Sequence, residues 1–566
     1  MSALLLLAGA FPLALAAVAA RPSAWWTPAL GALPALGVAL LMPVGTTLDL
    51  PWLLLGTRLG LDEIGRVFLL FTAFLWTVAG VTASAQLRWV PEASRFRLFF
   101  LLAMTGNLWL VLGQDLVSFY AGFALMGLAS YGLVVQHGDR AALRAGKVYL
   151  VLTLVGELAL FVALVAIASQ AGGLLPERAD LAGLDGVTVA LLVLGFGIKA
   201  GLVPLHVWVP LAYPAAPIAA AVVLSGAMSK VALLGWLRFL PLGELAAPEW
   251  GIALALLGLA TLLYALPVGL VQSEPRALLA YSSIGKAGLF VLILGIILIE
   301  PAAAPLGIAG LVIYAVHHAL VKGGLFLGVG LRGWTDRQPR LQVWILVGIS
   351  LLALAMAGAP LTSGALAKAG VKTTLAAPDW PWLDPLMALI TLGGALLMLR
   401  FIESVRVQPK PPGSALGWAP SPSVIAAWTL LVLIVVILPF ALGDPRVWAT
   451  NALPVSIALL IALPVLLIAR HAPRVLRPLR GIIPPGDLLV LTRPIRLATS
   501  SLAPRAGRAM ERLGAETWRG LAAPLARLGR PSPDPERQLR AWPIAGVLWL
   551  LVLGVLTLLL VVSRPT

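Results

Sequence analysis

The lysines of this chain have an unusual distribution. The chain contains 40 lysines and arginines, but few of them are lysine. Most of these lysines fall inside long apolar runs: Lys199, Lys230, Lys286, Lys322, Lys368 and Lys372. A charge at the centre of a bilayer costs about 2.5–3.5 kcal/mol on insertion scales. Because lysine can release its proton in a buried site and arginine does not, the choice of lysine indicates groups whose charge changes during function.

Histidines and one glutamate occupy similar positions. Three histidines lie in or beside apolar runs, namely His206, His317 and His318. Glu157 lies near the middle of the run VLTLVGELALF. Lys322 follows His318 by four residues, so His318 and Lys322 share a helix face. A single ionisable residue in a span could instead form an interhelical hydrogen bond or extend its charged end to the membrane surface. Lys372, near a helix end, could do the same. Several on different helices predict a proton relay, with these candidates: Glu157, Lys199, His206, Lys230, Lys286, His317, His318, Lys322 and Lys368.

The elements that carry these residues are predicted to be transmembrane helices. Of the 566 residues, 60% are hydrophobic and 11% are charged, and the mean hydropathy is +0.98. Backbone groups must be hydrogen-bonded in lipid, so long apolar runs predict helices. We expect an all-α polytopic membrane protein with about sixteen spans, near residues 3–20, 28–43, 65–86, 97–113, 115–136, 146–170, 185–203, 217–238, 250–272, 276–299, 305–331, 343–377, 384–403, 423–442, 453–469 and 542–562.

Two of these spans contain glycine and proline interruptions. In GIKAGLVPLHVWVP, Lys199 and His206 flank Pro204, and Gly358–Pro360 interrupts the run 343–377. Proline removes a donor from the helix, and the freed backbone groups are tolerated where they line a water-filled cavity. Paired broken helices predict two inverted repeats within a core of about fourteen helices. The predicted divisions are N-terminal helices (1–96), a first repeat (97–238), a second repeat (239–405), C-terminal core helices (406–469), a basic amphipathic lateral segment (470–541) and an anchor helix (542–566).

The charges of the loops predict the orientation of the chain. Connections after odd-numbered spans carry arginines such as Arg95 and Arg140, whereas those after even-numbered spans carry acids such as Glu177. Basic loops stay in the cytoplasm, so the odd connections are predicted to be cytoplasmic and both termini to face outward. In 470–541, arginines alternate with apolar residues at helical spacing, which predicts a helix lying on anionic lipid or along a neighbouring subunit. We expect a bacterial inner-membrane protein with this segment in the cytoplasm.

Residues typical of several other functions are missing. The chain has no cysteine, which excludes disulfides, iron–sulfur ligation and thiolate zinc sites. It has no Gly-rich phosphate loop after a predicted strand, and no HExxH or GxSxG. We therefore expect no catalytic site, metal or redox cofactor. Nucleic acid is not an expected partner, because the basic residues fit the membrane topology. The first run, 3–20, follows no basic residue and is predicted to be a span, not a cleaved signal.

A set of motifs resembles the signatures of antiporter-like membrane subunits. The set comprises KAGLVPLHVWVPLAYPAAP, SGAMSKVALLG, AYSSIGKAGL, HHALVKGGLFLGVG and GAPLTSGALAK, in that order. The family includes the large proton-pumping membrane subunits of respiratory complex I, membrane-bound hydrogenases and Mrp-type cation/proton antiporters. The similarity covers roughly residues 60–405, and the basic segment and last span resemble the lateral helix and anchor of the largest members more weakly. It implies a proton-translocating subunit of a larger complex, with sodium exchange left open.

The resemblance also implies roles for individual residues. Lys199 would be the lysine of the first broken helix, and Lys230 the lysine of the next span. His318 and Lys322 would form the central relay pair. Lys368, after the second break, would be the terminal ionisable residue facing the outer half-channel. By the same comparison, His206 is the histidine at the hinge.

The chain departs from the family at one acidic position. The family usually has a glutamate where this chain has Ala124, and that glutamate pairs with the lysine that matches Lys199. Some relatives carry an acid at the position of Glu157. We hypothesise that Glu157 approaches Lys199 from the neighbouring helix and replaces the missing carboxylate.

Alternative functions remain open at this stage. The chain could be the membrane subunit of a proton-gradient-driven complex that accumulates inorganic carbon (CO2 or bicarbonate) with a zinc-dependent, carbonic-anhydrase-like partner. It could also be a scaffold whose relay has degenerated, although its intramembrane lysines argue against this. An enzyme in its own right is least expected, but membership of a proton-pumping oxidoreductase stays open. The co-purifying subunits distinguish the proton-translocating subunit from the inorganic-carbon complex, since the first would have several membrane partners and the second a zinc protein as its sole partner.

Overall fold

Apolar helices make up most of the described structure. The computed structural model describes residues 2–86, 92–335, 338–407, 420–442, 452–471, 483–486 and 488. The chain divides into two units, Met1–Asp487 and Leu488–Thr566, and nearly all of the described residues belong to the first. The predicted basic segment 470–541 and anchor helix 542–566 fall largely outside the described residues.

The helices follow the order of the apolar runs. The first six are α1 (Ala3–Ala16), α2 (Thr27–Leu30), α3 (Leu33–Leu41), α4 (Glu63–Gln86), α5 (Ala93–Leu112) and α6 (Leu116–Val134). The next eight are α7 (Arg140–Ala171), α8 (Arg178–Leu181), α9 (Gly186–Ala200), α10 (Val209–Ala215), α11 (Ile218–Ser225), α12 (Val231–Phe239), α13 (Pro248–Leu270) and α14 (Pro275–Ile299). The last six described are α15 (Ala304–Trp334), α16 (Pro339–Ala357), α17 (Ser363–Leu375), α18 (Leu383–Val407), α19 (Pro422–Leu442) and α20 (Ala452–His471).

Thirteen stretches within the described residues are long and apolar enough to cross a membrane. The predicted helical, polytopic membrane fold is therefore confirmed. The count of about sixteen spans stays a prediction, because α1 is shorter than a full span and 542–562 lies outside the described residues.

Several local features differ from the expected continuous spans. The predicted span 28–43 is divided between α2 and α3, whereas the division of 343–377 between α16 and α17 follows the interruption predicted at Gly358–Pro360. The predicted span 217–238 is also interrupted, between α11 and α12. A short antiparallel hairpin precedes α4, formed by β1 (Thr47–Leu50) and β2 (Thr57–Gly60). It is too short to cross a bilayer and leaves the helical fold class unchanged.

The helix α15 is long and is surrounded by other helices. It packs against α4, α11, α14, α16, α17 and α19, and the middle of the helix is buried. Close packing also joins α13 to α14, since a Cβ at Gly258 would lie 2.5 Å from the Gly288 carbonyl oxygen. Tight van der Waals contact of this kind is the main attraction between helices in lipid. The arrangement holds the histidines and lysine of α15 against the helices on either side.

Candidate functional site

The first interruption separates α9 from α10. α9 begins after Asp185, whose carboxylate accepts a backbone N–H three residues on at 2.6 Å, and this bond holds the pKa of Asp185 below its usual range. The helix ends at Gly201, whose φ of 79° is a conformation that suits glycine. Beyond the turn, Trp208 Nε1 donates to the Ile198 carbonyl oxygen at 2.7 Å. Lys199 therefore lies in the last turn of α9, where the negative end of the helix dipole favours a cation.

Lys199 is held mainly by aromatic groups. Its Nζ donates to the Tyr149 hydroxyl at 3.4 Å and lies 5.6 Å from the centre of the Phe123 ring and 5.7 Å from that of Tyr149. The Tyr149 hydroxyl in turn donates to the Gly127 carbonyl oxygen at 2.8 Å. Contacts of this kind stabilise a cation without a counter-ion. The sequence analysis did not predict a role for Tyr149. The only sequence feature that could have indicated one is its position in α7, two turns before Glu157.

Glu157 lies on α7 close enough to Lys199 for an electrostatic interaction. The residue is 5% exposed, and its Oε1 has no hydrogen-bond partner among the described residues. This oxygen lies against Gly127, where the Cβ of any other residue would collide with it. A cleft of about 230 Å³, including the space open at its mouth, lies beside the lysine and is lined by Phe123, Thr153, Gly156, Gly195, Ile198, Lys199 and Trp208. The structure thus places the two charges on neighbouring helices, with Lys199 at a mainly apolar cleft.

Lys230 lies at the interruption between α11 and α12. Its Nζ donates to the Ser225 carbonyl oxygen at 3.1 Å and to Ser229 Oγ at 2.7 Å. The hydroxyls of both serines bond to carbonyls four residues earlier, which bends helices and competes with their regular hydrogen bonds. The lysine therefore lies in a further helix break, which the sequence analysis missed because no proline lies within it.

The adjacent histidines of α15 have different neighbours. His317 Nδ1 lies 2.8 Å from Ser363 Oγ on α17. The His318 ring contacts Phe290 of α14, with 6.2 Å between ring centres. Both histidines are 1% exposed, and neither nitrogen of His318 has a hydrogen-bond partner among the described residues. The pair therefore faces two helices at once.

Lys322 and Lys286 lie beside these histidines. Lys322 is fully buried, and its Nζ donates to the Leu279 carbonyl oxygen of α14 at 2.7 Å. Lys286 Nζ lies 5.5 Å from the centre of the Tyr314 ring. The charges of Lys230 and Lys286 both act on Lys322. These residues form one electrostatically connected group around α15.

The second interruption separates α16 from α17. α16 ends at Gly358, whose φ is 82°. Lys368 Nζ reaches back across the break and donates to the Ala357 carbonyl oxygen at 2.7 Å, with Thr391 Oγ1 at 3.4 Å. Lys286 also acts electrostatically on Lys368. Lys372, one turn later, is exposed.

His206 lies in the short 3-10 helix Leu205–Trp208, which follows the first break. It is fully buried and packs against Tyr264 and Tyr281, with ring centres 5.2 and 6.3 Å away. In the described part of the chain, no group of three His, Asp or Glu side chains is placed to hold a metal ion.

The three buried lysines and the partly buried Lys368 share one chemical property. The hydrogen bonds from Lys199, Lys230, Lys322 and Lys368 end on carbonyl or hydroxyl oxygens. Such oxygens accept a hydrogen bond from an amine as well as from an ammonium, so they do not require the charged form as a direct carboxylate partner would. The arrangement suits groups that gain and lose protons.

Comparison with known proteins identifies similar chains. The family described as NADH:quinone oxidoreductase/Mrp antiporter, TM, matches residues 113–393. Hydrogenase-4 component B of Escherichia coli is 31% identical over 37% of the chain, and the chain spans only 33% of that relative's length. NADH-quinone oxidoreductase subunit N 2 of Roseiflexus castenholzii is 30% identical over 64% of this chain and 78% of its own. A chain in the structure of the Mrp complex from Dietzia sp. has the same fold, with TM-score 0.68 and 21% identity, over 99% of this chain and 63% of its own.

Proposed function

The chain belongs to the NADH:quinone oxidoreductase/Mrp antiporter family of membrane proteins, and we propose that it translocates protons as one subunit of a larger energy-coupling complex. The observation that carries this proposal is the set of lysines, three buried and Lys368 partly buried, whose partners are carbonyl and hydroxyl oxygens. A buried lysine that only joined helices would be expected to have a direct carboxylate partner, because an uncompensated charge is costly in lipid.

The path is proposed to run through the middle of the membrane. Glu157 and Lys199 form its first part, with His206 at the hinge beyond the first break. Lys230, Lys286, His318 and Lys322 form the central part, and His317 and Lys368 form the last part. The electrostatic interactions among Lys230, Lys286, His318 and Lys322 support the central part, since a proton that reaches one of these groups disfavours a proton on the next.

We propose that the partners are other membrane subunits and lipid. The relatives are named as a hydrogenase component, an oxidoreductase subunit and part of an Mrp complex, which supports a hetero-oligomer. The bacterial inner membrane, with segment 470–541 in the cytoplasm, is the proposed location.

Two alternative functions, sodium exchange and membership of an inorganic-carbon complex with a zinc-dependent partner, would use the same conduction path. Mass spectrometry of the complex purified in mild detergent separates these functions, since several membrane subunits favour the proton translocator and a zinc protein as sole partner favours the alternative.

Lysine substitutions test the conduction path directly. Lys230→Met and Lys322→Met should each reduce proton flux by about a hundredfold, because a positioned proton carrier contributes about 10²–10⁴ in rate. Flux is measured with a pH-sensitive dye in vesicles that contain the purified complex, and a native gel reports assembly. Lys372→Met is the matched control, because this lysine is exposed. Full flux in either buried-lysine variant would show that the proposed relay is wrong.

A further inference from the structure

A serine lies where the second broken helix begins its second half. The backbone turns at Gly358 and Leu361, which have φ values of 82° and 61°, and α17 then starts at Ser363. The neighbouring Thr362 hydroxyl donates to the Ala359 carbonyl oxygen at 2.6 Å within the turn. Ser363, in contrast, directs its hydroxyl to another helix.

The partner of this serine is His317 on α15. Ser363 Oγ and His317 Nδ1 are 2.8 Å apart, and each residue is 1% exposed. The other ring nitrogen, Nε2, is buried and has no hydrogen-bond partner among the described residues. The imidazole is therefore bonded on one side only, to the start of the broken helix.

The helix dipole indicates the direction of this hydrogen bond. A serine hydroxyl can donate or accept, and a neutral imidazole has one nitrogen of each kind. The first turn of a helix carries unpaired N–H groups and partial positive charge. An imidazole nitrogen that directs its lone pair at this turn is therefore favoured over one that directs an N–H at it. We infer that in the neutral ring His317 Nδ1 accepts from the Ser363 hydroxyl, while Nε2 carries the hydrogen.

We propose that Ser363 is a proton-carrying residue between the second break and His317. In one step, the Ser363 O–H bond breaks as an Nδ1–H bond forms on His317, and Oγ takes a replacement proton from the Lys368 ammonium, which becomes a neutral amine. The Nε2–H bond then breaks, and its proton passes to a neutral Lys286 amine, which leaves His317 neutral with its hydrogen on Nδ1. The protons balance, and no oxidant or reductant is needed. This inference rests on the proposed relay, to which it adds the residue that connects α17 to α15.

The surroundings of His317 fit a proton carrier. Tyr314 and His318 lie beside it on α15, with 5.8 Å between the centres of the Tyr314 and His317 rings. Lys286 from α14 and Lys368 from α17 act on it electrostatically. No acidic side chain is among the groups described as acting on it. Its contact with α17 therefore runs through a hydroxyl, which can exchange one proton for another.

Substitution of Ser363 in the purified complex tests the proposal. Ser363→Ala should reduce proton flux by about a hundredfold, and Ser363→Thr, which keeps the hydroxyl, should retain at least half of it. Ser350→Ala is the matched control, since this hydroxyl lies on α16 and donates only to the Leu346 carbonyl oxygen at 2.8 Å. Flux is measured from pH 5 to 9 in vesicles, with assembly checked on a native gel. Ser363→Ala should also change the shape of the pH profile, which a merely weakened complex would not.

A double substitution separates this proposal from the general relay. If Ser363 acts through His317, Ser363→Ala should cause no further loss in the His317→Gln background. An equal fractional loss in both backgrounds, or more than half of normal flux in Ser363→Ala, would overturn the role of Ser363. Full flux in either Lys230→Met or Lys322→Met would instead overturn the relay itself.

Discussion

Replacement of Glu157 by glutamine is expected to slow proton transfer at the first break. Glu157 acts on Lys199 across the contact between α7 and α9, but the described hydrogen bond of the lysine goes to Tyr149. Two unit charges about 7 Å apart attract by about 2.4 kcal/mol at an effective dielectric constant of about 20. If transfer depends on this attraction, its loss lowers the rate by up to about fiftyfold, at about 1.36 kcal/mol per factor of ten. Glutamine keeps the shape of the side chain and removes only its charge.

The assay is initial proton flux in vesicles at neutral pH, normalised to assembled complex. Glu249→Gln is the matched control, because this acid is exposed in the first turn of α13. Addition of Ala124→Glu to the Glu157→Gln variant should recover part of the flux. Ala124 lies on α6, one turn before Gly127, and is 7% exposed. The new carboxylate would therefore come from α6, next to Phe123, which lines the cleft beside Lys199.

Two results would refute this reasoning. If Glu157→Gln retains more than half of normal flux, the attraction between the two charges is not used in the rate-limiting step. If Glu157→Gln is inactive and Ala124→Glu recovers nothing, Glu157 does not replace the carboxylate missing at position 124.

Two further predictions concern the residues around this path. Tyr149→Phe keeps the contacts of Lys199 with the rings at positions 123 and 149 but removes the hydroxyl. A hydrogen bond to a charged group is worth about 1.5–3 kcal/mol, so proton flux should fall by roughly tenfold or more. Unchanged flux would mean that the aromatic ring alone holds the lysine. Replacement of the arginines of 505–530, which lie outside the described residues, by glutamine should weaken assembly or anchoring on a native gel while flux per assembled complex is kept. A loss per complex as large as that in Lys322→Met would contradict this division between anchoring and conduction.

The fold class follows from the sequence for a physical reason. A bilayer offers no hydrogen bonds to the backbone, so long apolar runs have to be helices, and thirteen such stretches are present in the described residues. The two glycine- and proline-rich breaks are also local properties, because Gly201 and Gly358 have positive φ values and Pro204 has no N–H to donate. The sequence therefore places Lys199 before one break and Lys368 after the other without knowledge of the packing.

The partners of these residues were decided only by the tertiary structure. Tyr149 meets Lys199 across fifty positions of sequence, and Ser363 meets His317 across forty-six. The break before Lys230 contains no proline, and the lysine fills it by bonding to the Ser225 carbonyl oxygen. Sequence spacing shows which side chains share a helix face, but not which neighbouring helix that face meets. That choice depends on close packing between helices, since in lipid no hydrophobic force brings them together. The two histidines of α15, adjacent in sequence, therefore contact different helices, His317 by a hydrogen bond to α17 and His318 by a ring contact with α14.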